Sequence, residues 1–170
     1  IHTFSYMERA AFLLAEFHPA FLDFREQFPM DRSITTSGAK KLRIKHPRYP
    51  KTRNPIVMTL DAVVVMQAPD GTEQMAGLDV KPARMLQEPR TLEKLSLHRA
   101  YCAHVGIEHI VFSEANFTKA RVRNIDWIRM SLPKEGELET VAGMFTTHPK
   151  QMLERLAQYK RAPVLNEFCK

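Results

Sequence analysis

Two aspartates and a lysine are spaced so that a β-hairpin would bring their side chains together. Asp61 interrupts an apolar run, and Asp79 and Lys81 end a later one. On a strand, Asp79 and Lys81 point to the same face because side chains alternate. Asp61 and Asp79 are equidistant from Asp70, so a three-residue loop centred there places them opposite each other, about 5 Å apart at Cβ. Carboxylates this close repel each other unless a cation lies between them, and their hard oxygens suit Mg²⁺ or Mn²⁺.

The same residues also have ordinary interpretations. Asp79 and Lys81 can form a simple ion pair on a solvated hairpin face, and an edge lysine often only blocks aggregation. A two-residue loop would shift the register and put Asp61 and Asp79 on opposite faces. We favour the functional interpretation because Asp61 stands in the apolar run from Val57 to Met66, where a charge without a partner is costly. Lys81 would then orient a water molecule or stabilise charge that develops at phosphorus.

A third carboxylate, Glu8, lies in the predicted first helix. Ser5 and Glu8 have the spacing of a capping box, which by itself explains the glutamate. Glu8 joins the aspartates only if the N-terminal half of this helix packs over the hairpin. Four other potential ligands show no metal-binding spacing, and we expect them to be packing or surface residues. They are His98, Cys102, His104 and His109.

The positive charge of the chain is concentrated in one segment. No Asp or Glu occurs between Asp31 and Asp61, and the whole chain has a net charge of +6. Such a concentration is typical of a surface that contacts phosphates. Prolines break the segment, which predicts a long loop beside the metal site that grips the DNA backbone without reading bases. The alternatives are a merely solvated loop and a contact for an acidic partner protein. The predicted DNA-binding residues are Lys40, Lys41, Arg43, Lys45, Arg48, Lys51 and Arg53.

Hydrophobic patterning predicts the elements that position these residues. Helical spacing follows Ser5 and ends near His18, and strand-like alternation runs from Phe21 to Phe28. The further predicted elements are strands Val57–Gln67, Gln74–Lys81 and Ile107–Phe112 and helices Thr91–His104 and Phe117–Met130. The inward-facing residues of the Thr91–His104 helix are Leu92, Leu95, Leu97 and Tyr101. The order is α-β-β-β-α-β followed by helices. The strand Gln74–Lys81, the helix Thr91–His104 and the strand Ile107–Phe112 together have the length of a right-handed βαβ crossover.

Length and composition narrow the class of protein. A chain of 170 residues has room for one domain with a short appendage. A hydrophobic content of 44% and a charged content of 26% exclude wholesale disorder. No apolar run is long enough for a membrane span, and no glycine motif of nucleotide-binding loops occurs. Two cysteines without CxxC spacing favour a reducing, cytoplasmic setting, and a first residue other than methionine suggests a processed or trimmed chain.

These motifs together resemble the PD-(D/E)xK nuclease fold of restriction endonucleases. Longer segments are similar to the TnsA family, the endonuclease subunits of Tn7-like transposases, including CRISPR-associated ones. These segments are MERAAFLLAEFHPAFLDFREQFP, TLDAVVV, DVKPARMLQEPRTLEKLSLHRAYC and NIDWI, so the resemblance covers residues 5–130. It implies an active site of Glu8, Asp61 and Lys81. Some members of the family carry glutamine where this chain has Asp79.

The resemblance also implies partners. Members of the family cut the 5′ ends of the transposon, while a DDE-type transposase, TnsB, cuts and joins the 3′ ends. Their C-terminal region resembles a small winged-helix domain that contacts an AAA+ regulator, TnsC. Few residues follow Leu132 in this chain, so we expect that domain, with its contacts to TnsC, to be short, altered or missing.

The sequence therefore predicts a Mg²⁺-dependent DNA endonuclease subunit of a cut-and-paste transposase, with Mn²⁺ as a substitute ion. We expect it to act on double-stranded DNA at transposon ends, in the bacterial cytoplasm and away from membranes. Residues 1–132 would form an α/β, restriction-endonuclease-like catalytic domain and residues 133–170 a C-terminal helical segment. The metal ligands would be the carboxylates of Glu8, Asp61 and Asp79 and the carbonyl of Val80. The alternatives are a stand-alone nuclease of restriction or DNA repair and a DNA-binding scaffold without catalysis.

Overall fold

The structure is a computed structural model that describes residues 5–131. Its elements in chain order are α1 (Tyr6–Glu16), β1 (Phe21–Pro29), α2 (Arg32–Lys41), β2 (Thr59–Gln67), β3 (Glu73–Val80), α3 (Pro89–Val105), β4 (Glu108–Phe112) and α4 (Lys119–Ser131). Short 3₁₀ turns at Ala83–Gln87 and Glu114–Asn116 flank α3 and β4. The helices predicted beyond residue 133 and the predicted domain boundary lie outside the described residues. Within the described range, every helix is too short or too polar to cross a membrane.

The four strands form one mixed sheet in the order β1-β2-β3-β4. β1 and β3 run antiparallel to β2, whereas β4 runs parallel to β3. Parallel neighbours need a crossover connection, and α3 provides it. The predicted α/β fold, with a helix crossing between its last two strands, is therefore confirmed.

The hairpin of β2 and β3 has the predicted register. Its paired residues are equidistant from Asp70 throughout the ladder, which ends at Ala62 and Leu78. Beyond the strand ends, the N–H of Ala68 donates to the carbonyl of Thr72 at 2.8 Å, so the loop itself consists of residues 69–71. Gly71 in this loop has a φ of 86°. A left-handed residue at this position completes a three-residue hairpin loop, and glycine adopts it without steric cost. The three-residue loop that the sequence predicted is confirmed.

Helices cover both faces of the sheet. On one face, α1 packs against α4 and against the hairpin, and α2 and α3 cover the other face. The buried contacts on the first face involve Ala10, Ala11, Leu13, Ala62, Leu78, Val80, Val122 and Ile125. The buried contacts on the second face involve Met30, Ala39, Met58, Leu60, Val63, Leu97, Tyr101 and Cys102. Met7, in the N-terminal half of α1, packs against the buried hairpin residues of this face. This is the packing that a role of Glu8 requires, and the role itself stays a prediction.

The helix α3 approaches β3 closely at Gly77. A Cβ atom at this position would lie 2.8 Å from Sγ of Cys102 and 2.9 Å from Cδ1 of Leu60. Both distances are shorter than ordinary van der Waals contact, so only a residue without a side chain allows this approach. Because Gly77 and Asp79 lie two residues apart on β3, the same approach brings α3 over Asp79.

The basic segment differs from the uninterrupted loop that its prolines predicted, because α2 occupies its first part. The Asp31 carboxylate caps this helix by accepting hydrogen bonds from the N–H groups of Ser33, at 2.6 Å, and Ile34, at 3.3 Å. The helix buries Thr35 and Ala39 against the rest of the fold. It is short and rich in Ser and Thr, so it lacks the apolar periodicity by which helices are recognised. The observed order is therefore α-β-α-β-β-α-β-α.

One predicted core residue of α3 faces solvent. Leu92 is 47% exposed, whereas Leu95, Leu97 and Tyr101 are buried as predicted. The helix begins two residues earlier than predicted, at Pro89, and its buried side also includes His98. The inward face of α3 is thus partly polar, and its histidine lies next to Asp79.

Candidate active site

Asp61 lies at the open end of the hairpin, directly beyond the last paired residues. Its Oδ2 accepts a hydrogen bond of 2.7 Å from the N–H of Val80. The carboxylate therefore takes over the acceptor role that a strand carbonyl would have if the ladder continued. This hydrogen bond holds the Asp61 side chain against the end of β3, with 16% of that side chain exposed.

The ammonium group of Lys81 lies among three oxygen atoms. Its Nζ is 2.7 Å from Oδ2 of Asp61, 3.0 Å from the carbonyl oxygen of Val80 and 4.0 Å from Oδ1 of Asp79. The sequence predicted that Asp61, Asp79 and Lys81 would converge, and the structure brings them together. The two carboxylates and the Val80 carbonyl are also the hairpin oxygens that were predicted to bind a metal. A cation, here the lysine ammonium, already lies among these oxygens.

Asp79 is fully buried, and two imidazole rings hold its carboxylate. Nδ1 of His98 and Nε2 of His109 each lie 2.7 Å from its Oδ2. Burial by itself would raise the pKa of Asp79. The hydrogen bonds from His109 and His98, with the electrostatic attraction of His98 and Lys81, outweigh burial and lower this pKa to about 2. Asp79 is therefore a carboxylate, not a carboxylic acid, across the physiological range.

The prediction that the histidines and Cys102 only pack or face solvent is wrong for His98 and His109. Both contact Asp79, and the three side chains offer ligand atoms within 4.8 Å of one another, close enough to hold a metal ion. Spacing along the chain hides this cluster because the histidines belong to different elements. A signal existed, since His98 follows Leu95 by three residues and shares its inward face. Cys102 is buried, as predicted, and burial raises its thiol pKa to about 11.

Glu8 has the capping role that its spacing predicted. Its carboxylate accepts a hydrogen bond of 2.8 Å from the N–H of Ser5, and the Ser5 hydroxyl accepts one of 3.3 Å from the N–H of Glu8. Within the described range, Glu8 forms no hydrogen bond or ion pair with Asp61, Asp79 or Lys81. Its place among the metal ligands therefore depends on the family resemblance and stays a prediction.

The seven basic residues predicted to bind DNA are all exposed. Lys40 and Lys41 end α2, so they lie on a helix and not on the predicted loop. Within the described range, none of the seven forms an ion pair with a carboxylate, whereas other arginines of the fold do. Exposed cations without carboxylate partners, concentrated in one segment of the chain, favour an anionic ligand. The seven are Lys40, Lys41, Arg43, Lys45, Arg48, Lys51 and Arg53.

Two arginines of this surface have an unusual backbone conformation. Arg43 has a φ of 55° and Arg53 a φ of 56°. Arg43 follows the C-cap residue of α2, Leu42, in a Schellman motif, with the N–H of Ile44 bonded to the carbonyl of Ala39 at 2.9 Å. Glycine is the usual residue at that position because a Cβ atom destabilises the left-handed conformation. An arginine here is tolerated at some loss of stability, which suggests that its charge has a use.

The sequence of this chain is similar to those of a known endonuclease family and of a known transposition protein. Residues 18–114 match the family described as TnsA-like endonuclease N terminal. The chain is 36% identical over 141 residues to the transposon Tn7 transposition protein TnsA of Escherichia coli, an alignment that covers 83% of this chain and 50% of the relative. The chain therefore spans about half the length of that curated relative. Asp61, Asp79, Lys81, His98 and His109 all fall within the matched range, whereas Glu8 precedes it. This match over more than half of the chain shows that it belongs to the TnsA-like endonuclease family.

Proposed function

We propose that this chain is a metal-dependent DNA endonuclease whose active site is the open end of the β2–β3 hairpin. The observation that carries the proposal is the position of the Lys81 ammonium among Asp61, Asp79 and the Val80 carbonyl. These are hard oxygen donors, two of them anionic, and they already surround a cation. Such a set fits Mg²⁺, with Mn²⁺ as a substitute. Membership of an endonuclease family supports the same chemistry.

Asp61 and Asp79 would hold the metal together with the Val80 carbonyl, and Glu8 is the candidate for a further ligand from α1. When bound, the ion supplies Lewis-acid stabilisation of the negative charge that develops on the scissile phosphate. The hydrogen bond from the N–H of Val80 keeps the Asp61 carboxylate in place for this task. Since the pKa of Asp79 is held at about 2, its carboxylate offers an anionic oxygen at neutral pH.

Lys81 would act on the substrate. Its flexible stem lets the ammonium turn from the carboxylates towards the scissile phosphate once another cation neutralises them. There it would orient the attacking water or stabilise the charge on phosphorus, as a preorganised cation does in other phosphoryl-transfer sites. Its side chain is 26% exposed, so the ammonium is open to solvent from the hairpin end.

The seven exposed cations would bind the DNA backbone near the cut. Each phosphate that they neutralise should add about 0.9 to the salt slope of duplex binding. Replacing Lys40, Lys41, Arg43 and Lys45 together by Gln should weaken binding to all sequences alike and flatten that slope. A control for the loss of charge elsewhere is Lys119→Gln with Arg123→Gln, which removes two exposed cations of α4 on the opposite side of the sheet. If the quadruple variant binds DNA normally but associates poorly with a partner protein, the segment is a protein contact instead.

The relative found by comparison is described as a transposition protein, which supports a role in transposition for this chain. We propose that it cuts the 5′ strands at transposon ends, in the bacterial cytoplasm. A DDE-type transposase, TnsB, would cut the 3′ strands, and an AAA+ regulator, TnsC, would regulate both. These partners follow from the family resemblance.

A strand-specific cleavage assay tests the proposal. The full chain is incubated with an end-labelled transposon-end duplex and Mg²⁺, with and without the DDE-type partner. We expect 5′-strand cleavage that needs the partner and that Asp61→Ala or Lys81→Ala abolishes. Asp23→Ala, which removes an exposed ion pair on β1, should leave cleavage intact. Cleavage without the partner would favour a stand-alone nuclease, and undiminished cleavage by both active-site variants would refute the assignment.

A further inference from the structure

Two histidines contact the same oxygen of Asp79. Nδ1 of His98 and Nε2 of His109 both lie 2.7 Å from Oδ2. The second oxygen, Oδ1, lies 3.0 Å from Nδ1 of His98 and 4.0 Å from Nζ of Lys81. The carboxylate is therefore held asymmetrically. Its Oδ2 is engaged by both rings, while its Oδ1 is the oxygen nearer to the cation position.

The two rings reach Asp79 from different elements of the fold. His98 belongs to α3, and His109 belongs to β4, where it pairs with Gly77. Their ring planes are 78° apart, so they approach the carboxylate from different directions. Two donors that meet one oxygen in this way oppose rotation of the carboxylate about its bond to Cβ. The absence of a side chain at Gly77 lets α3 come close enough for the first of these contacts.

We propose that His98 and His109 are positioning residues, which fix Oδ2 of Asp79 and thereby direct Oδ1 to the metal. The inference rests on the function proposed above. It assigns to the histidines no contact with DNA or with the ion. Outer hydrogen bonds of this kind orient metal-binding carboxylates and typically change metal affinity 10- to 100-fold when they are removed.

Direct metal binding by the histidines is the competing arrangement. Two neighbouring ligand atoms of an octahedral ion lie about 3.0 Å apart when each bond is about 2.1 Å long, and those of a tetrahedral ion with bonds of about 2.0 Å lie about 3.3 Å apart. The nitrogen–oxygen distances here are 2.7 Å, which is the length of a hydrogen bond. The described geometry therefore favours imidazole N–H groups that donate to Asp79 over nitrogens that share an ion with it.

Amide substitutions separate positioning from a merely structural role. The amide nitrogen of Asn can take the place of a histidine Nδ1, and that of Gln can take the place of Nε2. His98→Asn and His109→Gln therefore keep a donor at the required point, whereas His98→Gln and His109→Asn displace it. His98→Ala and His109→Ala remove the donor. The matched control is His104→Ala, an exposed histidine of the same helix.

The experiment is a Mn²⁺ titration of the full chain, followed by electron paramagnetic resonance of the free ion, with circular dichroism to establish folding. We expect the alanine and displaced-donor variants to bind Mn²⁺ 10- to 100-fold more weakly than the parent. His98→Asn, His109→Gln and His104→Ala should bind Mn²⁺ about as tightly as the parent, because the first two keep the donor and the third leaves both histidine donors in place. If the alanine variants do not fold, the same test compares the Mn²⁺ affinities of the amide variants. His98→Asn and His109→Gln keep the donor in place, and His98→Gln and His109→Asn displace it.

Three results would overturn the positioning role alone. The first is a Mn²⁺ affinity equal to that of the parent in folded variants that lack the donor or displace it. The second is equal weakening of Mn²⁺ binding by the amides that keep the donor in place and the amides that displace it. The third is nitrogen hyperfine coupling that shows imidazole bound to the ion. Asp61→Ala distinguishes this failure from a failure of the proposed function. If the parent binds no Mn²⁺ that depends on Asp61, the metal site itself is wrong and the positioning role falls with it.

Discussion

The Nζ atom of Lys81 lies 2.7 Å from Oδ2 of Asp61, the same oxygen that accepts the N–H of Val80. One carboxylate oxygen thus ties the end of β3 to β2 and binds the only cation that contacts both hairpin aspartates in the described part of the chain. In the proposed site, the lysine and the metal compete for this oxygen. Because of this competition, the loss of Lys81 and the loss of an aspartate should affect metal binding differently.

Replacing Lys81 by Met should remove catalysis without removing the metal. Without the ammonium, the repulsion between Asp61 and Asp79 favours a bound cation, so Mn²⁺ affinity should be equal to or tighter than that of the parent. Cleavage should fall by about 100-fold or more because a preorganised charge is lost from the transition state. Calorimetric Mn²⁺ titration and the strand-specific assay measure the two effects. Loss of Mn²⁺ binding, or cleavage within a few-fold of the parent, would contradict the assigned role.

Arg43→Gly should make the protein more stable and a poorer DNA binder. Glycine adopts the left-handed conformation freely, so the free energy of unfolding should rise by about 1 kcal/mol. The lost charge should lower the salt slope of duplex binding by about 0.9. Arg43→Ala is the matched control, because it removes the charge but keeps the Cβ atom. Urea denaturation and binding at several salt concentrations test both parts, and equal stabilities of the two variants would contradict the strain at this position.

Gly77→Ala should destabilise the protein by about 1–3 kcal/mol, the usual effect of overpacking a core. The new methyl group meets Sγ of Cys102 at 2.8 Å, so α3 must move away from β3. Adding Cys102→Ala removes that atom and should recover part of the lost stability, although the contact with Leu60 persists. A double-mutant cycle from denaturant unfolding gives the coupling energy. Strictly additive effects would show that this close approach does not constrain the helix.

Asp79 should contribute to stability in a pH-dependent way. Its pKa is lowered from 3.8 to about 2 on folding, so its carboxylate stabilises the native state above pH 4, and this contribution is lost as the pH falls towards 2. The contribution at neutral pH is about 2 kcal/mol, from about 1.4 kcal/mol per pKa unit. The groups that face the carboxylate are His98, His109 and Lys81.

Asp79→Asn, which does not titrate, provides the comparison for this pH dependence. The free-energy difference between the parent and Asp79→Asn should shrink as the pH falls from 4 to 2. Urea denaturation at several pH values measures it. A difference that stays constant over this window would show that the native pKa of Asp79 is not lowered.

The convergence of Asp61, Asp79 and Lys81 was predictable because it depends on local rules. The equal spacing of Asp61 and Asp79 from Asp70 determines the hairpin register, and strand alternation places Lys81 beside Asp79. The capping box at Ser5 and Glu8 is likewise local, and the structure confirms it. Each of these predictions needed only a turn type or a period, which a single sequence contains.

The missed features depend on tertiary contacts. His98 and His109 are brought to Asp79 by the packing of α3 on β3 and by the parallel pairing of β4, and no spacing along the chain records this meeting. The helix α2 was missed because Thr35 and Ala39, small and partly polar, form its buried side. Its stability comes from the Asp31 cap and from packing, not from an apolar stripe. The same tertiary information would be needed to relate Glu8 to the hairpin end.

The most direct test of the proposed metal site is a crystal structure of the full chain soaked with Mn²⁺, with data collected near the manganese absorption edge. We predict an anomalous-difference peak within bonding distance of Oδ2 of Asp61, the Val80 carbonyl and Oδ1 of Asp79. The Lys81 ammonium should have moved off these oxygens. A peak bonded to the ring nitrogens of His98 and His109, or the absence of any peak at the hairpin end, would contradict the account.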